Sequence, residues 1–459
     1  MTLDFDAIVI GAGQSGPTLA VRLAQSGRKT AIIERGALGG TCVNTGCVPS
    51  KTLIASARVA HMARRAADFG VMIDAPVTID MHKVKARKDR LIHDSREHLD
   101  EWLKKTPNLR LVHAEAHFVK ADTLAANGDL LRAKEIFINV GARVFVPPLP
   151  GLDTIDYLTS TSLLDLDFLP PHLLIIGGSY IGLEMAQMMR RFGSRVTILE
   201  AGSQVLSHED AAVSDAVQAL LENEGVQIHT SAQIVNVARR DMDVTIVYRK
   251  GSTLHQLEGS HLLLASGRQP NTTGLGLDRI GVKTDARGYI DVDEQLRTAV
   301  PGIWALGEVN GRGAFTHTSF NDYEIVAANL LESGQRTIHH RIAAHAVYID
   351  PPLAHIGMNK TEARASGRPI LHASLAMCHV SRARERDETT GFMSLLVDAQ
   401  TQKILGATLL GIEADEVVHT LLDLMYADAP VSVLRQAMHI HPTVSELLPT
   451  LVAKLEPLV

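Results

Sequence analysis

The chain has 459 residues, a formal net charge of −6, 46% hydrophobic and 21% charged residues, which describes a soluble globular protein of several domains at the ~150-residue prior. The acidic balance offers no broad basic surface to a phosphate backbone, and the run Arg382-Ala383-Arg384-Glu385-Arg386 reads as a solvated face. No apolar run approaches the ~18 residues of a membrane span, and the 3 cysteines match a reducing compartment. The strand-like Ala7-Ile8-Val9-Ile10 follows Met1 too closely for a signal peptide, so the expected location is cytoplasmic.

The first apolar run, Phe5 to Ile10, ends in Gly11-Ala12-Gly13-Gln14-Ser15-Gly16, after which Leu19, Ala20, Leu23 and Ala24 recur at helical spacing. This reads as strand, tight turn and helix. The next run, Thr30 to Ile33, closes on Glu34, about twenty residues after the glycines, where a ribose-binding acid belongs in a dinucleotide site. Glycine permits the turn and the approach of a pyrophosphate, while the helix start offers free N–H groups. An ordinary tight turn is the plain alternative; the strand, helix and acid weigh against it.

Gly39-Gly40-Thr41-Cys42-Val43-Asn44-Thr45-Gly46-Cys47-Val48-Pro49-Ser50-Lys51 follows and holds two of the three cysteines. A thiol pair this close, just downstream of the dinucleotide pattern, reads as a disulfide that is repeatedly reduced and reoxidised. Cys378 has no cysteine near it in sequence and reads as a buried small apolar residue.

A cluster of glycine and proline, Val140-Gly141-Ala142-Arg143 and Pro147-Pro148-Leu149-Pro150-Gly151, marks a domain boundary. The first pattern then repeats: Leu173-Leu174-Ile175-Ile176, Gly177-Gly178-Ser179-Tyr180-Ile181-Gly182, a helix through Met189, and Val196-Thr197-Ile198-Leu199-Glu200. A second βαβ unit implies a second nucleotide. Ser179 replaces the middle glycine, so closer phosphate approach is lost there. Glu200 would accept hydrogen bonds from the ribose of NAD and repel the 2′-phosphate of NADP, and no arginine follows in residues 201–204, so NADH is preferred over NADPH.

A second break lies at Gly267-Arg268-Gln269-Pro270-Asn271, and Gly302-Ile303-Trp304-Ala305-Leu306-Gly307-Glu308 reads as a buried strand before a helix from about Asn321. This looks like a return to the first domain. From Ala346 onward, apolar runs such as Ile404 to Leu410 alternate with amphipathic helices such as Glu413 to Tyr426, which indicates an α+β unit. The 21 histidines form no metal-ligand spacing, and His439 with His441 make no zinc site; no metal is expected.

Two glycine motifs, the C-x4-C run, Ala265-Ser266-Gly267-Arg268-Gln269-Pro270-Asn271, Ala305-Leu306-Gly307-Glu308 and His441-Pro442-Thr443-Val444-Ser445-Glu446 together resemble the class I pyridine nucleotide-disulfide oxidoreductases. The resemblance covers essentially the whole chain. It implies two Rossmann-like nucleotide-binding domains and an α+β dimerisation domain: FAD at 1–150 and 271–340, NAD(P)H at 151–270, dimerisation at 341–459. Implied FAD ligands are Gly11, Gly13, Gly16, Glu34, Gly40, Thr41, Lys51, Gly141, Gly307 and Glu308, the last standing where the family usually has aspartate against the flavin's ribitol. Implied pyridine-nucleotide residues are Gly177, Gly178, Tyr180, Gly182, Glu184, Glu200, Gly267 and Arg268.

The same resemblance makes Cys47 the thiolate beside the flavin and Cys42 the thiol that exchanges with substrate. His441, oriented by Glu446, would take the proton of Cys42 across a homodimer interface. Lys51 and Glu184 match the family's ion pair beside flavin N5, and Tyr180 is a nicotinamide gate or a packing residue. The runs Gly311-Arg312-Gly313-Ala314-Phe315-Thr316-His317-Thr318-Ser319 and Ala437-Met438-His439-Ile440-His441-Pro442-Thr443 look like the mercuric reductase-like subgroup. Mercuric reductases proper carry a second C-terminal cysteine pair, whereas this chain ends Lys454-Leu455-Glu456-Pro457-Leu458-Val459. A small disulfide, as in dihydrolipoamide dehydrogenase, is therefore the preferred acceptor, a soft metal ion such as Hg(II) or Cu(II) the alternative, and a flavin redox sensor the reading from another class.

Overall fold

The structure, a computed structural model, describes residues 1–458. Its first parallel sheet is built around Ala7–Ile10, which lies between Thr30–Glu34 and Glu135–Ile138. Leu109–His113 and Ile303–Ala305 form its edges. Ala7–Ile10 is buried at every residue, as a strand covered on both faces must be, and its unbroken apolar sequence follows from that. The late strand Ile303–Ala305 completes the sheet begun near the N-terminus, as its apolar run anticipates.

The second parallel sheet copies this plan. His172–Ile176 lies between Arg195–Leu199 and His261–Leu264, flanked by Gln227–His229 and Leu158–Thr159. In each sheet the central strand runs into a glycine turn and a helix, Gly16–Gln25 in the first and Tyr180–Phe192 in the second. A ribbon of Ala142–Val144 against Arg268–Pro270 joins the two units.

The C-terminal part is a six-stranded sheet with Leu353–Gly357, Ile404–Leu410, Phe392–Asp398 and Ile370–Ala376 at its centre, antiparallel throughout. The helix Ala414–Tyr426 packs its Val417, Val418 and Leu421 into the same core. The helix expected from about Asn321 starts earlier, as Thr316–Leu331: the Thr318 hydroxyl accepts from the Phe315 N–H and satisfies a donor that the first turn leaves free. No helix among the described residues is long and apolar enough to cross a membrane.

Candidate active site

The two glycine turns are superimposable in their chemistry. Gly11 has φ +103° and a Cβ there would sit 2.3 Å from the Asn139 carbonyl oxygen; Gly177 has φ +116° and would meet the Ala265 carbonyl at 2.4 Å. Gly16 and Gly182 would each drive a Cβ to 2.1 and 2.0 Å from the carbonyl oxygens of Gly11 and Gly177. The first and third glycines are thus demanded by helix-to-turn packing. The middle one is not: a Cβ on Gly13 meets nothing closer than 3.5 Å, and Ser179 has an ordinary φ of −97°. The backbone of the second turn therefore admits serine at this position.

Each acid is held identically. Glu34 accepts from the Ala12 and Gly36 N–H groups, both at 2.8 Å, and Glu200 from those of Gly178 and Gly202 at 2.6 and 2.7 Å. A carboxylate fixed by two backbone amides presents its remaining lone pairs in a set direction.

The first turn opens into a cavity of about 740 Å³ lined by Gly11, Gly13, Glu34, Gly40, Thr41, Cys42, Cys47, Lys51, Gly141 and Glu308, among others. Gly40 lies so close to Gly13 that a Cβ would come within 2.7 Å of its Cα, leaving backbone alone to line this stretch. A helix N-terminus, an acid for a ribose and a cleft reaching from Glu34 to the thiols fit an extended dinucleotide such as FAD. Asn139 and Ser15, which the sequence did not single out, lock this turn: Ser15 donates to Asn139 at 2.7 Å, and Asn139 donates to the Gly11 carbonyl at 3.1 Å.

Arg268, expected at the pyridine-nucleotide site, is set beside the first unit by the ribbon with Ala142–Val144 and lines the same cavity as Tyr180, Glu184 and Glu308. Its Nε donates to Glu308 at 2.7 Å and its Nη2 to the Ala142 carbonyl at 2.6 Å. Glu308, expected against ribitol, lines the cavity with one oxygen paired to Arg268.

Cys42 and Cys47 are free thiols in hydrogen-bond contact with each other. Cys47 begins the helix Cys47–Arg64, and its Sγ lies 3.2 Å from the hydroxyl of Thr316, the first residue of the helix Thr316–Leu331. The hydrogen bond from Cys42 lowers the Cys47 pKa to about 6 against the opposing effect of burial, with Thr316 and Lys51 assisting. Cys42 moves the opposite way, raised by its hydrogen bond to Cys47, by burial and by the neighbouring negative charge. One sulfur is a ready thiolate and the other needs a base. Thr316 stands in the run beginning at Gly311, but its contact with Cys47, 269 residues away, carries no local sequence signal.

Lys51 and Glu184 meet at 2.6 Å, with Glu184 only 6% exposed. Glu184 also accepts from the Tyr348 N–H at 2.8 Å, and the Lys51 ammonium stands 4.6 Å from the centre of the Tyr348 ring, a cation–π arrangement. Tyr180 clusters with Phe315 and His345, ring centres 5.9 and 5.3 Å away, and these two rings stack on each other at 5.8 Å; His345 pairs with the buried Glu209 at 2.7 Å. Burial and Glu209 push the Tyr180 phenol up to about 12.

His441 Nδ1 and Glu446 Oε2 are 2.7 Å apart. Because a carboxylate only accepts, Nδ1 carries the hydrogen of this contact and Nε2 is left without a part in it. His441 is 73% exposed, and neither residue lines the cavity that holds the thiols. Cys378 is exposed, not buried as expected: it falls on the short surface turn Met377–His379, where Met377 takes the core position. Among the described residues no cluster of three His, Cys, Asp or Glu could hold a metal ion.

Comparison with known proteins agrees with this architecture. Residues 5–322 match the pyridine nucleotide-disulphide oxidoreductase pattern and residues 343–452 its dimerisation domain. The probable pyridine nucleotide-disulfide oxidoreductase RclA of Escherichia coli is 37% identical over 97% of this chain and 98% of its own. A mercuric reductase of Streptomyces lividans is 34% identical, covering 97% and 94%, and a dihydrolipoyl dehydrogenase of Geobacillus stearothermophilus 32%, covering 97% and 95%. The solved HOCl-induced flavoprotein disulfide reductase RclA from Escherichia coli superposes with a TM-score of 0.89 at 36% identity, covering 98% of this chain and 99% of that one. With both nucleotide-binding units, the thiol pair and the C-terminal sheet accounted for, this chain belongs to the pyridine nucleotide-disulfide oxidoreductases, FAD-dependent enzymes with a dimerisation domain.

Proposed function

We propose that this enzyme carries electrons from NADH through FAD to the Cys42–Cys47 disulfide and on to a small disulfide substrate. The observation that carries the reading is the unequal thiol pair: Cys47 lowered to about 6 by Cys42, Thr316 and Lys51, and Cys42 raised. A pair tuned apart suits one sulfur that stores negative charge and one that exchanges.

Bound FAD supplies hydride acceptance from the nicotinamide and delivery of the electron pair to the disulfide. Gly11, Gly13, Gly16, Glu34, Gly40, Thr41 and Gly141 would hold it, and Lys51, oriented by Glu184, sets a positive charge beside its redox-active end. Once the Cys42–Cys47 bond has opened, the Thr316 hydroxyl holds Cys47 as thiolate. His441 of the partner subunit takes the Cys42 proton at Nε2, and Cys42 attacks the substrate disulfide, releasing one thiolate that receives this proton. Cys47 then attacks Cys42, re-forms the internal disulfide and expels the second thiolate, so two electrons leave for each NADH oxidised.

A soft metal ion as acceptor is the second reading. It is favoured by the mercuric reductase relatives and by a solved Cu(II) complex of RclA from Escherichia coli, since paired thiolates bind soft metals. Steady-state turnover of lipoamide, glutathione disulfide, Hg(II) and Cu(II) separates the two. We expect a disulfide to be the best acceptor and its turnover to fall at least 100-fold in His441→Gln. Faster metal turnover that ignores this substitution overturns the disulfide reading, and no turnover of any acceptor supports a redox sensor.

The NADH preference rests on Glu200, whose anchoring repeats that of Glu34. In Glu200→Gln the KM for NADH should rise roughly 10-fold and that for NADPH should fall, because charged hydrogen bonds contribute about 1.5–3 kcal/mol. An unchanged NADH to NADPH ratio overturns this assignment.

A further inference from the structure

The basic run read from sequence as a solvated face contains one arginine that is used. Arg382 lies on the short helix Ser381–Glu385 between the fully buried Val380 and Ala383, so its backbone is fixed by the core. Its guanidinium reaches the carbonyl oxygen of Pro442, with Nη2 donating at 2.7 Å and Nε at 3.2 Å. Glu385 flanks it at 3.2 Å.

Pro442 follows His441 directly, in a segment with few other contacts to its own subunit. Met438 is 98% and Ile440 80% exposed, while the chain is anchored in the core at Leu434 and Val444 on either side. The other hydrogen bonds of this stretch are local: His439 to the Ala437 carbonyl, Thr443 to the Ile440 carbonyl, Glu446 N–H to Thr443 and His441 to Glu446. Among the described residues the grip of Arg382 is the hydrogen bond that ties this turn to a distant part of the chain, 60 residues earlier. Glu446 fixes which nitrogen of His441 is the base; it does not fix where the turn stands.

We infer that Arg382 is a positioning residue, which holds the His441–Glu446 turn by its Pro442 carbonyl so that Nε2 meets the Cys42 thiol of the partner subunit. The inference rests on the proposed role of His441 as base. Both donors of the planar fork converge on one acceptor from a fixed helix, which constrains the carbonyl in angle as well as distance. Proton transfer needs hydrogen-bond reach, and a misplacement of about 1 Å can cost ~10²-fold in rate.

The test uses the FAD-loaded dimer of the full chain, reduced by NADH, and follows alkylation of Cys42 by iodoacetamide alongside lipoamide turnover. In Arg382→Ala, alkylation and kcat should fall about 10- to 100-fold at unchanged KM, with NADH still reducing the enzyme at the wild-type rate. Arg382→Lys should recover part of the loss, having one donor group in place of the fork. Arg382→Gln, closer in bulk, carries the same test should the alanine variant fail to assemble as a dimer.

If His441→Gln slows alkylation and the Arg382 variants do not, the positioning role is overturned and the base stands. If His441→Gln itself leaves alkylation unchanged, it is the proposed function that fails. A parallel fall in NADH reduction and lipoamide turnover marks a general structural role and overturns the inference.

Discussion

Cys47→Ser should abolish disulfide reduction, by on the order of 10³-fold or more in kcat, as expected when a group that acts as part of a covalent unit is removed. NADH should still reduce the flavin in this variant, since Lys51, Glu184 and the glycine cradles are untouched. What should vanish is the long-wavelength absorbance of a thiolate lying against the flavin, followed by stopped-flow after mixing with NADH. Survival of that band would show Cys42 to be the flavin-side thiolate. In the wild-type enzyme the band should depend on pH with the sign of a depressed thiol pKa: Cys47 is a thiolate above about pH 6 and is protonated as pH falls through that value. Thr316→Val removes one hydrogen bond to the thiolate and should move the midpoint up by about one to two pH units, given about 1.5–3 kcal/mol for a charged hydrogen bond and 1.36 kcal/mol per unit. A midpoint that stays at 6 would assign the depression to Cys42 and Lys51 alone.

What sequence disclosed of this site and what it hid divide along a physical line. The glycine turns, Glu34, Glu200 and the thiol pair were legible because each function there is performed by residues within about twenty positions of one another, in an order that backbone geometry dictates. Their repetition, strand by strand, fixed the fold class. Residues brought in from elsewhere were not legible. Thr316 touches Cys47 from 269 residues away, Asn139 reaches back 124 residues to Ser15, and Arg382 holds a carbonyl, an acceptor that every residue type supplies. Arg268 follows the second domain in sequence, while a two-stranded ribbon sets it beside the first, in the cavity that both units line. Ser179 leaves the packing and φ of its turn intact, so its effect is confined to the phosphate approach that a middle glycine allows.

Arg191→Leu should produce the largest loss of stability, about 3–5 kcal/mol, the usual consequence of leaving buried carboxylates without their cation. Arg191, on the same helix as Tyr180 and Glu184, is 6% exposed and pairs with Glu224 at 2.7 Å and Asp350 at 2.5 Å. Arg58, on the helix that begins at Cys47, contacts the same Asp350 and Glu388, while Gln187 bonds both Glu224 and the Asp350 backbone. The network therefore ties the flavin-side helix, the pyridine-nucleotide helix and the C-terminal unit at one point. Burial alone would push the Asp350 carboxyl up; Arg191 and Arg58 more than reverse this and hold it below its ordinary value. A depressed folded pKa gives stability that is present above the unfolded value, near 3.9, and is lost only as pH falls below it. Arg191→Leu removes one of the two cations on Asp350 and leaves Arg58, so the folded pKa rises and the stability drawn from its depression shrinks. Its deficit should then be greatest at neutral pH and shrink as the pH falls through the carboxylate range, with Arg191→Lys intermediate, as read from unfolding of the FAD-loaded dimer. A deficit independent of pH would trace the loss to packing of the Arg191 stem, and not to the charges it holds between the three parts of the fold.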